Sequence, residues 1–146
     1  MIALLQRVNH AAIVIDNETH AAIGKGILAL IGLEAGDTAA LGSKLLDRIL
    51  AYRMFADDKG RMNRSLIDVG GELLLASQFT LVADTSSGLR PGFSRGMAPE
   101  PAQALYEELV TVARAKHASI ASGLFAADMK ITLENDGPVT FLLRAA

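Results

Sequence analysis

The chain has 146 residues, of which 51% are hydrophobic and 21% charged, with no cysteine, no tryptophan and a net charge of −2. That apolar fraction can fill the core of one domain over 1–146 and excludes intrinsic disorder, and the lack of cysteine excludes disulfide scaffolds, thiol nucleophiles and cysteine-ligated metal sites. Fourteen Lys and Arg against sixteen Asp and Glu exclude a protein that coats nucleic acid through bulk positive charge, but leave room for a few local phosphate contacts.

In the first third, apolar runs at Ile2–Leu5, Ala11–Ile15 and Ile27–Leu33 are separated by the turn-like Asp16–Thr19 and by Gly24-Lys25-Gly26. They predict two or three strands, with Gly24–Gly26 read as a hairpin turn rather than a phosphate cradle. No run approaches the ~20 residues needed to cross a bilayer, so no membrane partner is expected. The opening MIALLQRVNH has neither a basic start nor a small-residue cleavage site, so the expected location is cytoplasmic. Leu41, Leu45 and Ile49 then recur at helical spacing, with Asp37 as the expected N-cap.

Met54 and Phe55 lead into Asp57-Asp58-Lys59-Gly60, which suits a hairpin. The segment Glu72–Leu81 (ELLLASQFTL) follows Gly70-Gly71 and reads as a strand buried on both faces whose carboxyl end turns polar. Alternation along it puts Gln78 and Thr80 on one face and Ser77, Phe79 and Leu81 on the other. Residues 82–98 show no usable period and are expected to form a long loop. Pro99 and Pro101 open a second helix running to about Ala115. The tail from Ile120 to Arg144 is strand-like again, broken by a turn at Asn135–Pro138. These elements predict an α/β fold, a single domain of layered sheets, mixed and partly barrel-like, with two main helices covering one face.

Familiar catalytic signatures are missing. His10, His20 and His117 have no metal-ligand spacing, and there is no Walker loop, nucleophile-elbow serine or dinucleotide fingerprint, so neither metal nor cofactor is expected. Ser77-Gln78-Phe79-Thr80 could hold hydroxyl, amide and aromatic groups beside a cleft, or be an ordinary strand end with satisfied hydroxyls. Asn135–Thr140, as a bare pattern, is a turn entering a strand.

SQFTL (77–81) and NDGPVT (135–140) occur together with LLQRV (4–8), FADDKGRMNRSLIDVGGE (55–72), GLRPGF (88–93), LYEEL (105–109) and FAADMKITLE (125–134). Along nearly its whole length the chain thereby resembles the D-aminoacyl-tRNA deacylases. The resemblance implies a homodimer that hydrolyses the ester between a D-amino acid, or glycine mischarged on tRNA-Ala, and the terminal adenosine of tRNA. It also implies an active site at the subunit interface, with a Gly137-cis-Pro138 pair from one subunit entering the pocket of the other for chiral selection. Ser77, Gln78, Phe79 and Thr80 are then the candidate catalytic residues, and Arg7 and Met129 the candidate substrate-binding ones.

Backbone N–H groups near Phe79 and Thr80 are the candidate oxyanion donors. Attack is assigned either to Thr80 or, preferably, to water assisted by the ribose 2′-hydroxyl, because no general base accompanies the motif. Phe79 is read as an adenine-stacking residue or as a core phenylalanine, and Arg7 as a tie to the Gly-Pro loop, a contact to the substrate carbonyl or a surface arginine. Lys59, Arg61 and Arg64, with Arg90 and Arg95, read equally as acceptor-stem contacts or solvated charges. Gly92 stands where the family usually has serine and Ala126 where it commonly has glycine, which puts local loop shape in question. Competing readings are a small-metabolite enzyme or binding protein with an interface pocket, and an interaction module without catalysis.

Overall fold

The computed structural model describes residues 1–145. In chain order the elements are β1 (Ile2–Ile15), β2 (Glu18–Ile23), β3 (Gly26–Gly32), α1 (Ala39–Ala51), β4 (Phe55–Ala56), β5 (Met62–Arg64), α2 (Leu66–Val69), β6 (Glu72–Ser77), a 3-10 turn (Phe79–Val82), α3 (Pro99–Lys116), β7 (Ile120–Ser122) and β8 (Lys130–Arg144). None of the helices is long and apolar enough to cross a membrane.

Strand β1 organises the sheet. The first two apolar runs join into this one 14-residue strand, reversed by a tight turn at Asp16 and Asn17, both at positive φ. Along one edge its first half pairs antiparallel with β3 and its second half with β2, and along the other edge β8 accompanies it from Arg144 back to Lys130. The order is β2-β1-β3-β6-β7, with β8 beside β1 and parallel pairing between β3, β6 and β7. Gly24-Lys25-Gly26 is therefore no hairpin turn, because β2 and β3 run in the same sense along β1 and the glycines only pass the chain between them. The Gly24 amide is taken by the Glu72 carboxylate at 2.9 Å. That argues against the phosphate alternative, since an acid already occupies the donor.

Pairing irregularities near Val8 and Val14 let the long strands bend, so the mixed sheet curls into the partly barrel-like layer expected from the sequence. Alternation divides its side chains between two cores. Ala3, Leu5, Ile27, Ala29, Ile31, Leu73 and Leu75 pack beneath α1 and α3, whereas Leu28, Leu74 and Ala76 meet Val8, Ala11, Ile13 and Ile23 on the other side. β6 is covered on both faces, which explains its unbroken apolar run. Each large aliphatic side chain buried here contributes roughly 1.5–3 kcal/mol.

The two main helices lie where the periodicity put them, with a correction at the start of the first. Thr38, in extended backbone, caps α1 by accepting from the Leu41 amide at 3.2 Å. Asp37 instead accepts from the Met1 amino group at 2.8 Å and the Glu34 amide at 2.7 Å. α2 was not foreseen: four residues give no period, but a Ser65–Asp68 capping box and a left-handed Gly70 bracket it. The tail also differs. β7 ends at Ser122, and Asn135–Pro138 is a bulge within the continuous β8 rather than a turn between two strands.

Candidate active site

The polar end of β6 is positioned by core packing. Leu73, Leu74, Leu75 and Ala76 are buried between β3 and β7, and the Gln78 amide closes the β3 ladder by donating to Ile31 O at 2.8 Å. The chain then winds into the 3-10 turn, pinned by the buried Val82. This corrects the expected strand through Leu81: past Ser77 the two-residue alternation lapses, so Ser77, Phe79 and Leu81 do not share a strand face. Ser77, half-buried, remains on the strand.

Phe79 is 65% exposed, which removes the core-phenylalanine alternative. It leans on Phe93 of the 82–98 loop, ring centroids 5.2 Å apart. The Gln78 carboxamide donates to the Thr80 hydroxyl, the one side-chain bond made by that hydroxyl among the described residues. A carboxamide has no basic nitrogen, so Gln78 orients Thr80 but cannot accept its proton. In this turn the Leu81 and Ala83 amides donate to Gln78 O and Thr80 O, whereas the first two amides, of Phe79 and Thr80, have no acceptor within it.

The loop that brings Phe93 is itself tied down. Asp84 and Gly92 exchange backbone bonds of 2.7 and 2.9 Å, and the Met97 amide donates to Leu33 O at 3.0 Å. Hydrogen bonds from Ser86 hold the Asp84 carboxyl below the usual carboxylate range. Phe93 is not a site residue by sequence alone; the available signal is that it is the single aromatic side chain of the 82–98 loop.

The second segment is held by polar ties at the sheet's margin. Gln6 pairs with Thr140 and Val8 with Asn135, so Asp136–Val139 bulge out opposite Arg7. The Gly137-Pro138 peptide is cis, and Gly137 sits at φ +143°, where a Cβ would lie 2.6 Å from Val139 Cγ2. Asn135 clamps the bulge: its Oδ1 accepts from the Val139 amide at 2.7 Å, and its Nδ2 donates to Val139 O at 3.2 Å and Thr140 Oγ1 at 3.1 Å. Arg7, 14% exposed, donates from Nε to Asp136 O at 2.9 Å and from Nη1 to Met54 O at 2.8 Å. Of the readings open for it, the tie to the Gly-Pro loop is the one its bonds describe.

Met129 is half-buried in the second core, its sulfur against Gly123, whose amide donates to Leu75 O at 2.8 Å. Tyr106 strengthens that corner, its hydroxyl 3.0 Å from Leu75 O and 3.2 Å from Gly123 O, and burial pushes its pKa up. The histidines stand apart: His117 Nε2 lies 2.8 Å from Gly71 O, and His10 faces Glu134 at 3.7 Å. The described residues contain no cluster of three or more metal-ligating side chains.

One chain does not bring the two motifs together. β6 and β8 are separated by β3 and β1, and the Ser77–Thr80 end lies level with Ile31 while the bulge lies opposite Arg7. Three strand spacings across and about four residues along put them on the order of 15–20 Å apart.

The family described as D-Tyr-tRNA(Tyr) deacylase matches residues 4–144. D-aminoacyl-tRNA deacylases of Shewanella baltica and Xanthomonas euvesicatoria are 54% identical to the chain over 144 and 145 residues, each alignment covering 99% of both proteins. The deacylase of Thioalkalivibrio sulfidiphilus is 55% identical over 143 residues, 98% of this chain and 96% of that one. Among solved structures, a c-Myc DNA unwinding element binding protein superposes with a TM-score of 0.95 at 34% identity, covering 100% of this chain and 99% of that one. A probable eukaryotic D-amino acid tRNA deacylase superposes at 0.84 and 16% identity over 97% of each chain, a likeness of fold alone. With the family model matching residues 4–144 and these relatives aligned over 96–99% of both proteins, the chain belongs to the D-Tyr-tRNA(Tyr) deacylase family and is a hydrolase of that kind.

Proposed function

We propose that two copies of the chain form each pocket, Gly137-Pro138 of one subunit entering beside Ser77–Thr80 of the other, and that this pocket hydrolyses the ester of D-aminoacyl-tRNA. The observation that carries it is the separation of the motifs: a bulge on an edge strand, facing outward and ~15–20 Å from its own Thr80, can meet that residue type only on another copy. The exposed outer edge of β8, with Leu142 half-exposed, supports a second copy as the neighbour.

In this pocket the main-chain carbonyls of the bulge receive the substrate ammonium. An L-side chain collides with backbone that Arg7 and Asn135 hold in place, while a D-side chain projects outward unread. Glycine, with no side chain to reject, passes the same filter, so glycyl-tRNA is a substrate too. The exposed Phe79–Phe93 pair stacks on the terminal adenine. Amides of Phe79 and Thr80 stabilise the oxyanion. Water attacks the carbonyl carbon with the ribose 2′-hydroxyl relaying its proton, and the 3′-oxygen leaves protonated. Thr80, held by an amide that cannot deprotonate it, positions rather than attacks.

D-Tyr-tRNA and L-Tyr-tRNA incubated with pure protein, with uncleaved ester counted over time, test the reading. Cleavage of the D form alone is expected, with Thr80→Ala retaining substantial turnover and a 2′-deoxy terminal adenosine abolishing it. Cleavage of neither ester sinks the function, and a dead Thr80→Ala enzyme with normal tRNA binding sinks the 2′-hydroxyl route.

A further inference from the structure

The β4–β5 hairpin carries an open depression of about 490 Å³ whose lining includes Asp57, Asp58, Lys59, Arg61, Asn63 and Arg64. None of its charges takes part in the chemistry above. Its acids are already engaged. The Asp57 carboxylate accepts from the Lys59 and Arg61 amides at 2.9 and 3.0 Å, and Asp58 pairs with Arg64 at 2.8 Å. Lys59 and Arg61 have no ion-pair partner among the described residues, and both are exposed. Arg53, at the foot of the hairpin, donates to Asn63 at 3.2 Å and is exposed as well. The face thus presents cations whose nearest acids are turned into the turn or paired.

Position gives this patch meaning. Met54, the residue before β4, shares the Arg7 guanidinium with Asp136, the residue before Gly137. The hairpin is therefore rooted beside the Gly-Pro bulge, and the four residue steps from Met54 to Asp58 span at most ~14 Å of chain. A substrate whose terminal ester lies at the bulge must lead the rest of its strand away past some neighbouring surface, and phosphodiester groups seek unpaired cations.

We propose that the β4–β5 hairpin is a phosphate-gripping surface for the 3′ strand of tRNA, with Lys59 and Arg61 as its main contacts and Arg53 and Arg64 in support. This rests on the pocket reading above, in which Gly137 marks where the terminal ester sits. The hairpin binds the polyanion without touching the reacting atoms, so it governs affinity for long substrates and not the chemical step. Arg90 and Arg95 belong to a different surface, the 82–98 loop, where Arg95 lies near the acids Glu34 and Asp84.

The test compares Lys59→Gln, Arg61→Gln and the double variant with Lys44→Gln, an equal charge change on α1. Each is assayed on D-Tyr-tRNA and on the 3′-D-tyrosyl ester of adenosine, and each is titrated with uncharged tRNA at several salt concentrations. On D-Tyr-tRNA at about 0.1 M salt, KM should rise roughly threefold to fivefold per cation and about tenfold in the double variant, with kcat unchanged. The slope of log affinity against log salt should shrink by about 0.7–0.9 per cation removed. The adenosine ester, which carries no phosphate, should be cleaved with wild-type constants, and Lys44→Gln should match the parent on both. Equal losses on both esters, a change in kcat alone or an unchanged salt slope would overturn the proposal. Should the parent cleave neither ester, the function reading fails by itself, and the slopes on uncharged tRNA still decide the hairpin.

Discussion

The two segments that make up the proposed pocket are built by opposite means. Ser77–Thr80 ends a strand buried on both faces, and its direction follows from apolar packing of Leu73–Ala76 and one ladder bond to Ile31. Asn135–Thr140 lies on a half-exposed edge strand whose Ile131, Leu133, Val139 and Phe141 pack partly buried against the two cores, and the shape of its bulge follows from Arg7 and Asn135 gripping backbone atoms. The first is as stable as the domain. The conformation of the second depends on a few hydrogen bonds at the sheet's margin, and bonds so placed can be lost without unfolding the chain.

Three changes sharpen or break that contrast. The largest effect is expected for Gly26→Ala, because a Cβ there would overlap the Glu72 carbonyl where β3 and β6 begin to pair. Forcing those strands apart should cost at least ~3 kcal/mol and remove activity together with cooperative unfolding, as read by thermal denaturation and deacylation in parallel. Retained activity at a lowered Tm would show that the β6 end does not depend on the β3 ladder.

Arg7→Met comes next. It keeps the aliphatic stem but removes both bonds to Asp136 O and Met54 O, at a cost of about 1–3 kcal/mol. Deacylation of D-Tyr-tRNA should fall ten- to a hundredfold, and cleavage of L-Tyr-tRNA should rise relative to it, while the protein still unfolds cooperatively. A proportional loss of Tm and activity, with the D/L ratio untouched, would mean that the bulge is held by the fold after all.

The smallest effect is acid sensitivity. Glu34, Asp57, Asp68 and Asp84 all have carboxyls held below their ordinary values, by the Met1 amine for Glu34, the Arg61 amide for Asp57, the Ser65 amide for Asp68 and Ser86 for Asp84. Folded pKa values below the unfolded ones of roughly 3.9 and 4.3 mean that the unfolded chain binds more protons in acid. The stabilisation is then fully present above about pH 4.5 and lost as pH falls through the folded values. Tm should decline gently below that point, and Asp84→Asn should flatten the decline by its own share. A Tm independent of pH from 6 to 3 would contradict this.

Much of the fold was legible in local pattern. Leu41, Leu45 and Ile49 declared α1, the unbroken apolar run of Glu72–Ala76 declared a doubly covered strand, and Pro99 opened α3. Errors fell where a neighbour outside the window decided the conformation. Local pattern extends the strand through Leu81 because nothing nearby says that Ile31 ends its ladder, and it favours Asp37 as a cap because the bond of that residue to the Met1 amine spans 36 residues. Gly24–Gly26 looks like a reversal in the sequence because nothing local says that β1 is long enough to pair with both flanking strands.

For the site, residue identity narrowed the chemistry without choosing it: a chain without cysteine, and with no histidine or lysine in its two motifs, leaves Thr80 or water assisted by the substrate's own hydroxyl as the attacking group of the proposed pocket. Only the tertiary structure decided that Arg7 bonds to residues 47 and 129 positions away, that Phe93 joins Phe79, and that β3 and β1 stand between the strand of Ser77 and the strand of the Gly137 bulge. The physical reason is that periodicity encodes which face a residue takes, whereas strand order and register encode which distant residues it meets, and these are settled by packing of the whole sheet.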